Sequence, residues 1–519
     1  MTRDRDTGLD DRGSTEEDKA KVIFCENVSN AAPLDSNGLT EDEVGFLENF
    51  SDARRKALLR KIGFRLVPML GLLYLQSNTD RTNIGNAKIE GLPETLCLST
   101  LQYNTCLGIF FVPCTLLEIP SNLALKRFAR LSYYIGALTI SWSVVLTLTG
   151  IVRNYQGLLV ARLFLGIAEA GFFPGAILII STWYDRHELA TRIAIFYLAA
   201  ALAGAFSCLL AYLIVKLDGL GGLEGWRWIF IIEGLATLLL GCATPWLLLD
   251  SPERTTILSE DEKRYLRLRK IIQDGGRGVQ EKGQKLTWAI IKTIPLDWKL
   301  YLAVVIYWTN NATNDAIKFT LPRILKNMGY TSANSQLLSI PPYIAGTISA
   351  YIACRYSDRL SCRMPFILGA QLFVTTGFAL LVRFGGHLDR IAESYVAVFI
   401  ACLGFYPITP NVAAWVSNNL AGSAKRAAGI AFMLMLSNTA GLVGSYIYKD
   451  EEKPTYPTGY GVSLALSLVG IIGTLLMELL LWRVNVRDSK MTEEEIRAKW
   501  SDQELADMGD KSPLLKYTL

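Results

Sequence analysis

The sequence is poor in charged residues and in the residue types that most catalytic and metal sites use. Only 19% of its 519 residues are charged, and it contains 2 His, His187 and His387. Its 9 Cys are scattered, without a CxxC pair, so neither a disulfide framework nor a metal site is predicted. Without a cysteine cluster or a Ser/His/Asp set, the sequence offers no pattern for an enzyme active site, and no cofactor is implied.

A strong excess of charge of either sign is also missing. The 52 Lys plus Arg face 48 Asp plus Glu, and this net charge of +4 is too small to indicate a nucleic-acid partner. Residues 1–20 are charged throughout and lack an apolar segment, so no cleavable signal peptide is predicted. Any insertion into a membrane would then have to be directed by a segment that stays in the protein.

Long apolar segments are abundant instead. Hydrophobic residues make up 51% of the chain, and the mean hydropathy is +0.27. The segments recur along the chain, and each is long enough to cross ~30 Å of hydrocarbon at ~1.5 Å per residue. The sequence therefore predicts an all-α membrane protein with twelve transmembrane helices. The predicted spans are 62–84, 101–122, 131–151, 157–181, 191–215, 227–249, 299–320, 335–354, 364–383, 393–414, 427–448 and 461–482.

The spans fall into two sets of six. Residues 54–249 and 299–483 are predicted to form an N-terminal and a C-terminal six-helix bundle, joined by a polar loop at 250–298. Ser259 and Glu262 form a capping-box pattern, which predicts a short surface helix in this loop. Residues 1–53 are polar and mostly acidic, and we expect a disordered tail because they bury little apolar surface. Residues 484–519 form a second tail.

Basic residues in the short loops predict the orientation. The loops after spans two, four, eight and ten carry Lys or Arg and lie on the same side as the basic central loop. Because cytoplasmic loops carry this excess, both termini are expected in the cytoplasm. We expect a monomer in the plasma membrane.

Charged residues within the spans are candidates for function because unpaired charge is unfavourable in lipid. Asp80 and Arg81 are adjacent near the outer end of span one, where an interfacial ion pair that ends the helix is the alternative. Arg162 and Glu169 are seven residues apart in span four, nearly two helical turns, so they point from one face.

Other polar or helix-breaking residues are predicted to shape the pathway or its gate. Tyr406 and Asn411 in span ten are candidates for substrate contact, since broken helices at membrane depth must face protein or a water-filled cavity. Kinked packing without substrate contact is the alternative. The residues assigned to gating or structural pairing are Glu118, Arg227, Glu233, Pro341, Pro342, Asp358 and Arg359.

Six segments occur in an order and spacing typical of one transporter family: TDRTNIGNAKIEGL, RLFLGIAEAGFFPG, GWRWIFIIEG, LLSIPPY, YSDRLSCR and WVSNNLAGSAKRAAGIAF. From about Arg54 to Asp488 the chain resembles the fungal allantoate permease branch of the anion:cation symporters, in the major facilitator superfamily. The resemblance implies the major facilitator fold, with two pseudo-symmetric six-helix bundles. It also implies uptake, with protons, of a small carboxylate such as nicotinate, allantoate, pantothenate or biotin.

The resemblance also implies residue roles. Bacterial sugar-acid permeases and vesicular anion transporters are similar in having an Asp-Arg pair that ends span one and an Arg and a Glu in span four. By that resemblance, Arg81 and Arg162 bind the substrate anion, whereas Asp80 and Glu169 take the coupling proton. A guanidinium stays charged at biological pH and binds a carboxylate in a bidentate fork.

Span seven departs from the family pattern because it reads YWTNNATNDAIKFTLPR. Its polar stripe, which includes Asn311, Asp315 and Lys318, is unfavourable against lipid and is expected to face the bundle interior. Counting from Lys299 places Asn311 near mid-membrane and Lys318 close to the outer surface. We expect Asn311 and Lys318 to contact the substrate. The alternative is that Asp315 and Lys318 pair with each other and extend outward.

Together these patterns favour a proton-coupled importer of a small organic anion that works by alternating access. An exporter of an acidic secondary metabolite would have the same fold. A nutrient sensor that binds the anion without transport is an alternative of another class. A membrane enzyme is a third possibility, which the missing catalytic pattern disfavours.

Overall fold

The structure is a computed structural model. It describes residues 41–125, 128, 130–184, 186–255, 257–273, 293–327, 329–360, 362–387, 389–420, 423–490, 495–496, 500 and 517–518. Within these ranges the regular elements are all helical, as predicted. In chain order the α-helices are α1 (Glu41–Glu48), α2 (Asp52–Ile89), α3 (Leu92–Thr95), α4 (Thr100–Gly108), α5 (Phe111–Leu125), α6 (Leu131–Thr149), α7 (Tyr155–Glu169), α8 (Phe172–Trp183), α9 (Arg186–Ile214), α10 (Gly225–Leu247), α11 (Glu260–Gln273), α12 (Trp298–Asn327), α13 (Ser332–Leu360), α14 (Met364–Phe384), α15 (Ile391–Asn418), α16 (Ser423–Ile447) and α17 (Pro457–Asp488). Three short 3-10 helices are Val215–Leu217, Leu220–Gly222 and Asp450–Glu452.

The chain divides into two compact units. The smaller unit comprises residues 1–60 and 255–285, and the larger one comprises 61–254 and 286–519. The larger unit contains both predicted six-helix bundles.

In the smaller unit, helix α1 packs against helix α11. Phe50 stacks on Tyr265, with ring centroids 4.1 Å apart, and apolar side chains of α1 cover Leu268 and Ile271. The prediction of a disordered tail is therefore wrong for Glu41–Glu48, because these few apolar residues find a partner helix. Residues 1–40 lie outside the described residues.

Helix α11 begins as predicted. The Ser259 hydroxyl accepts a hydrogen bond from the Glu262 backbone N–H at 3.2 Å, and the Glu262 carboxylate accepts one from the Ser259 N–H at 2.9 Å. This reciprocal pair satisfies two donors that the first helical turn would otherwise leave open.

Ten helical segments of the described chain are long and apolar enough to cross a membrane, and they match ten predicted spans. Spans one and seven correspond to α2, with 38 residues, and α12, with 30 residues. Both are long enough to cross, but they carry many polar side chains. These two helices also extend beyond the predicted ends, to Ile89 and Asn327.

Two spans are broken near proline. Helix α4 ends at Gly108 and α5 begins at Phe111, and α7 ends at Glu169 and α8 begins at Phe172. Pro113 and Pro174 lie in the first turns of α5 and α8, where their missing N–H leaves no hydrogen bond unmade. The second break places Glu169 at a helix end.

The larger unit contains a first bundle, from residue 61 of α2 to α10, and a second bundle, α12 to α17. Helix α9 packs on α13 across the bundles, and α16 packs on α4 and α5. We name the two ends of the unit after one residue each. The Asp450 end holds the last turns of α2 and α12, and the Asp358 end holds the last turns of α13 and α15.

Two residues near the end of the sequence are docked at the Asp358 end. The Asn485 side chain exchanges two hydrogen bonds with the backbone of Tyr517, both 2.9 Å long. The Asn419 side chain exchanges two with the backbone of Thr518, 2.8 and 3.0 Å long. These side chains thereby tie the ends of α15 and α17 together.

Candidate functional site

A cavity of about 340 Å³ lies between the two bundles. The first bundle contributes residues of α2, α5, α7, α8 and α9, and the second contributes residues of α12, α13, α15 and α16. Much of the wall is aromatic, with several tyrosines whose hydroxyl groups can form hydrogen bonds. The aromatic lining residues include Tyr74, Phe111, Phe173, Tyr197, Tyr307, Phe319, Tyr351 and Tyr406.

An ion pair lines the wall formed by the first bundle. Arg81 of α2 lies with its Nε 2.8 Å from Oε1 of Glu169, at the end of α7. The Arg81 side chain is 25% exposed, whereas that of Glu169 is 1% exposed. Ser77 donates a short hydrogen bond to the same carboxylate oxygen. The other oxygen, Oε2, has no hydrogen-bond partner in the described chain, so this carboxylate keeps an acceptor site.

A second pair lines the opposite wall. Lys318 Nζ of α12 is 3.7 Å from Asp315 Oδ1 and 5.9 Å from the centre of the Tyr406 ring. Asn311 and Asn314 line the cavity on the same helix. The predicted polar stripe therefore faces the bundle interior, as expected.

Helix α12 continues beyond Lys318 to Asn327, about two and a half turns farther. Lys318 lines the cavity next to Phe319, and its position close to the outer membrane surface stays a prediction. The helix is longer than its apolar run because polar residues of its last turns, such as Arg323, are buried in the protein.

Glu118 of α5 connects the two bundles at the cavity wall. Its carboxylate accepts a hydrogen bond of 2.9 Å from the side-chain amide of Asn438 on α16, and both residues line the cavity. The predicted gating or structural role thus corresponds to a polar contact between bundles.

Asp80 and Glu233 are buried between α2 and α10 and do not line the cavity. Asp80 accepts hydrogen bonds from Gln76 at 3.0 Å and from Thr237 at 3.4 Å. Glu233 accepts a short one from Asn83. Adjacent residues of a helix point about 100° apart, so Arg81 faces the cavity while Asp80 faces α10.

Arg162 is also buried away from the cavity. It is 3% exposed, and its guanidinium carbon lies 5.8 Å from the centre of the Phe230 ring. Its Nε and Nη2 have no hydrogen-bond partner in the described chain. Seven residues correspond to about 10 Å along a helix, so Glu169 reaches the cavity and Arg162 does not.

Among the predicted residues of α13 and α15, some line the cavity and others are packed away from it. Tyr406 lines the cavity, and its hydroxyl has no partner in the described chain. Asn411 is 1% exposed and donates to the Pro407 carbonyl at 2.8 Å, so it packs within the bundle. Pro341 is exposed and Pro342 is buried, and neither lines the cavity.

The remaining gating candidates lie near the ends of the helices. Asp358 is exposed, lines the cavity mouth and pairs with Arg363 at 2.6 Å. Arg359 is exposed and does not line it. Arg227 donates to the carbonyl groups of Gly150 and Val152 at 3.1 and 2.6 Å, which fastens the end of α6 to α10.

The comparison with known families agrees with this architecture. The family model of the Major Facilitator Superfamily matches residues 70–445. The chain belongs to this superfamily. It is therefore a multi-pass integral membrane protein of a transporter superfamily.

Individual relatives of this superfamily cover nearly the whole chain. The chain is 36% identical over 483 residues to the MFS-type transporter cnsO of Penicillium expansum, covering 91% of this chain and 92% of the relative. It is 30% identical over 502 residues to the high-affinity nicotinic acid transporter of Saccharomyces cerevisiae, covering 96% and 90%. The solved structure of a D-xylose-proton symporter shares the fold, with a TM-score of 0.61 and 15% identity, over 80% of this chain and 97% of that one.

Sequence patterns missed several residues of this transporter's cavity. Tyr74 and Asn78 precede Arg81 on one face of α2, and their spacing of one and two turns was a usable signal. Asn438 is a polar residue inside an apolar span. The hydroxyl groups of Tyr197 and Tyr307 lie 3.4 Å apart across the bundles, and their chain separation offered no signal.

Proposed function

We propose that the chain is a proton-coupled symporter that imports a small carboxylate by alternating access, as members of the fungal allantoate permease branch do. One observation carries the proposal. Within the cavity wall, a partly exposed arginine is paired with a buried glutamate whose second oxygen has no hydrogen-bond partner among the described residues. This arrangement suits the exchange of one carboxylate for another on the same guanidinium.

The pair couples a proton to the substrate. When Glu169 takes a proton, it loses its charge, and its attraction for Arg81 weakens. Arg81 then has its charge and its donors available for a substrate carboxylate. By linkage, a bound carboxylate that occupies Arg81 in turn favours the protonated form of Glu169. Proton and anion therefore bind together.

The size and the lining of the cavity support a small aromatic or planar acid as the substrate. The cavity volume of about 340 Å³ lies in the range of small-molecule sites. Aromatic side chains cover the flat faces of such a ligand, while Arg81 and Lys318 stand on opposite walls to meet its polar groups. The similarity to a nicotinic acid transporter over nearly the whole chain points to the same class.

The described basic residues that follow spans eight and ten, such as Arg359 and Lys425, lie at the Asp358 end, so we assign this end and both termini to the cytoplasm. The exposed side chain of Asp358 borders the cavity there. The structure then represents a state that is open to the cytoplasm and closed at the Asp450 end. We place the protein in the plasma membrane, where an inwardly directed proton gradient would drive import by a symporter.

Substrate class is tested by the uptake of labelled nicotinate into cells that express the chain, in competition with a panel of carboxylates. Nicotinamide, which has the same ring without the charge, is the matched control. We expect at least one carboxylate of the panel to be carried and nicotinamide to compete poorly. Competition by neutral nicotinamide as strong as that by nicotinate would contradict an anion site.

The polar stripe of α12 is expected to set the ranking within this panel. Asn311→Ala removes a hydrogen-bonding group, and Lys318→Ala removes a cation, from the cavity wall. Each change should alter the order of competing substrates at matched surface expression, whereas the exposed Lys490→Ala should not. An unchanged order in both cavity variants would show that Asp315 and Lys318 only pair with each other.

A further inference from the structure

Charged side chains from both bundles meet at the Asp450 end. Lys88, at the end of α2, lies 3.2 Å from the carboxylate of Asp450 in the second bundle. Arg323 of α12 makes a close ion pair with the same carboxylate, and Lys453 lies 3.9 Å away. Three cationic side chains therefore share one carboxylate.

Two of these cations are buried. Lys88 is 9% exposed and Arg323 is 5% exposed. The ring centre of Tyr103 lies 3.8 Å from the Lys88 ammonium, and that of Tyr456 lies 5.5 Å from the Arg323 guanidinium. Aromatic faces attract cations but do not neutralise them. Among the described carboxylates, Asp450 makes the direct ion pairs with both buried cations, and removal of one partner from a buried ion pair is strongly unfavourable.

Further hydrogen bonds surround this cluster and join the same two bundles. Lys326 donates to the carbonyl of Ile89 at 2.7 Å, and Gln336 donates to the carboxylate of Glu90 at 3.0 Å.

The backbones of α2 and α12 also approach closely here. A Cβ atom at Gly85 would lie 2.9 Å from the carbonyl oxygen of Phe319, so only glycine fits. These contacts must all separate if the cavity is to open at the Asp450 end.

We propose that the Asp450 carboxylate holds the two bundles together at this end while the cavity is closed there. We call these contacts the gate. Asp450 is then a positioning residue for the transport cycle. The inference rests on the proposed alternating-access function. With the gate closed, Asp450 holds Lys88 of the first bundle and Arg323 of the second bundle together. With the gate open, water solvates all three groups. Removal of the Asp450 charge leaves two buried, mutually repelling cations in the closed state alone, and therefore shifts the population toward the open state.

The test measures the gate directly and needs no substrate. Spin labels are placed at Thr95→Cys and Asp389→Cys, exposed positions of the first and second bundle near this end, after replacement of the native cysteines. Distance distributions are then recorded on the purified full chain in lipid. Asp450→Asn should raise the long-distance population roughly tenfold or more, as expected from the loss of a buried partner. Glu393→Gln removes an exposed charge at the start of α15, outside this cluster, and should leave the distribution unchanged.

A second variant tests the same contact independently, in case Asp450→Asn does not fold. Lys88→Met keeps most of the apolar stem and removes only the ion pair between bundles, so it should raise the same population by a smaller factor. If both variants keep the distance distribution of the parent chain, Asp450 does not hold the closed gate together. If Asp450→Asn opens the gate as expected but the parent chain transports no carboxylate, the role of Asp450 stands and the proposed function is wrong.

Discussion

Replacement of Glu169 by glutamine should abolish proton-driven accumulation of the substrate while exchange of substrate across the membrane continues. Glutamine keeps the size of the side chain but cannot take up or release a proton. Its carbonyl oxygen can still accept from Ser77, and Arg81 remains free to bind a carboxylate. The chain would then behave as if Glu169 were permanently protonated, binding and releasing substrate without a change of proton occupancy.

The measurement compares net uptake and counterflow of the best labelled substrate at several external pH values. Glu393→Gln, a change of the same type at an exposed position, is the matched control and should behave like the parent chain. If Glu169→Gln still concentrates substrate with the parent's pH profile, the proton is carried elsewhere. The buried acids Asp80 and Glu233 between α2 and α10 would then be the next candidates.

Arg81→Lys should weaken apparent substrate affinity by tenfold or more, which corresponds to about 1.4 kcal/mol. Lysine keeps the positive charge but loses the planar fork that binds a carboxylate through two parallel hydrogen bonds. Arg81 also holds Glu169 through its Nε at 2.8 Å, a contact whose geometry an ammonium cannot reproduce. The loss should therefore appear in both affinity and pH dependence.

Arg355→Lys is the control for this change, because Arg355 lines the same cavity at an exposed position near its mouth. Affinity should change little there. Parent-like affinity in the Arg81→Lys chain would reduce Arg81 to a packing residue. Binding of the substrate by Arg162 remains a prediction, because the side chain lies outside the cavity in this conformation.

Much of the fold was predictable because a bilayer imposes simple rules on sequence. Apolar runs must match its thickness, and basic residues gather in the loops of one side. Charged residues inside a span must face protein or water, and Arg81, Glu169, Asp315 and Lys318 face the cavity. The rule that apolar runs match the bilayer gave too short a length for α12, because the last turns of this helix are polar yet buried.

The parts that could not be predicted depend on which neighbour a helix face meets. Asp80 and Arg81 are adjacent in sequence, but only Arg81 reaches the cavity, since α10 covers the side of α2 that bears Asp80. Lys88 and Asp450 meet although 362 residues separate them. Each of these two looks like an ordinary interfacial charge in its own segment, so no local pattern distinguishes them.

The claim that a carboxylate and a proton move together is tested most directly in proteoliposomes that contain the purified full chain. With the acidic side outside and the membrane potential clamped to zero, the best competitor of the carboxylate panel is supplied as a labelled compound. We predict accumulation above the external concentration, accompanied by acidification of the lumen that depends on added substrate, and loss of the accumulation when a protonophore equalises the pH on the two sides. Equilibration to the external concentration, with no dependence on the pH gradient, would contradict proton-coupled symport.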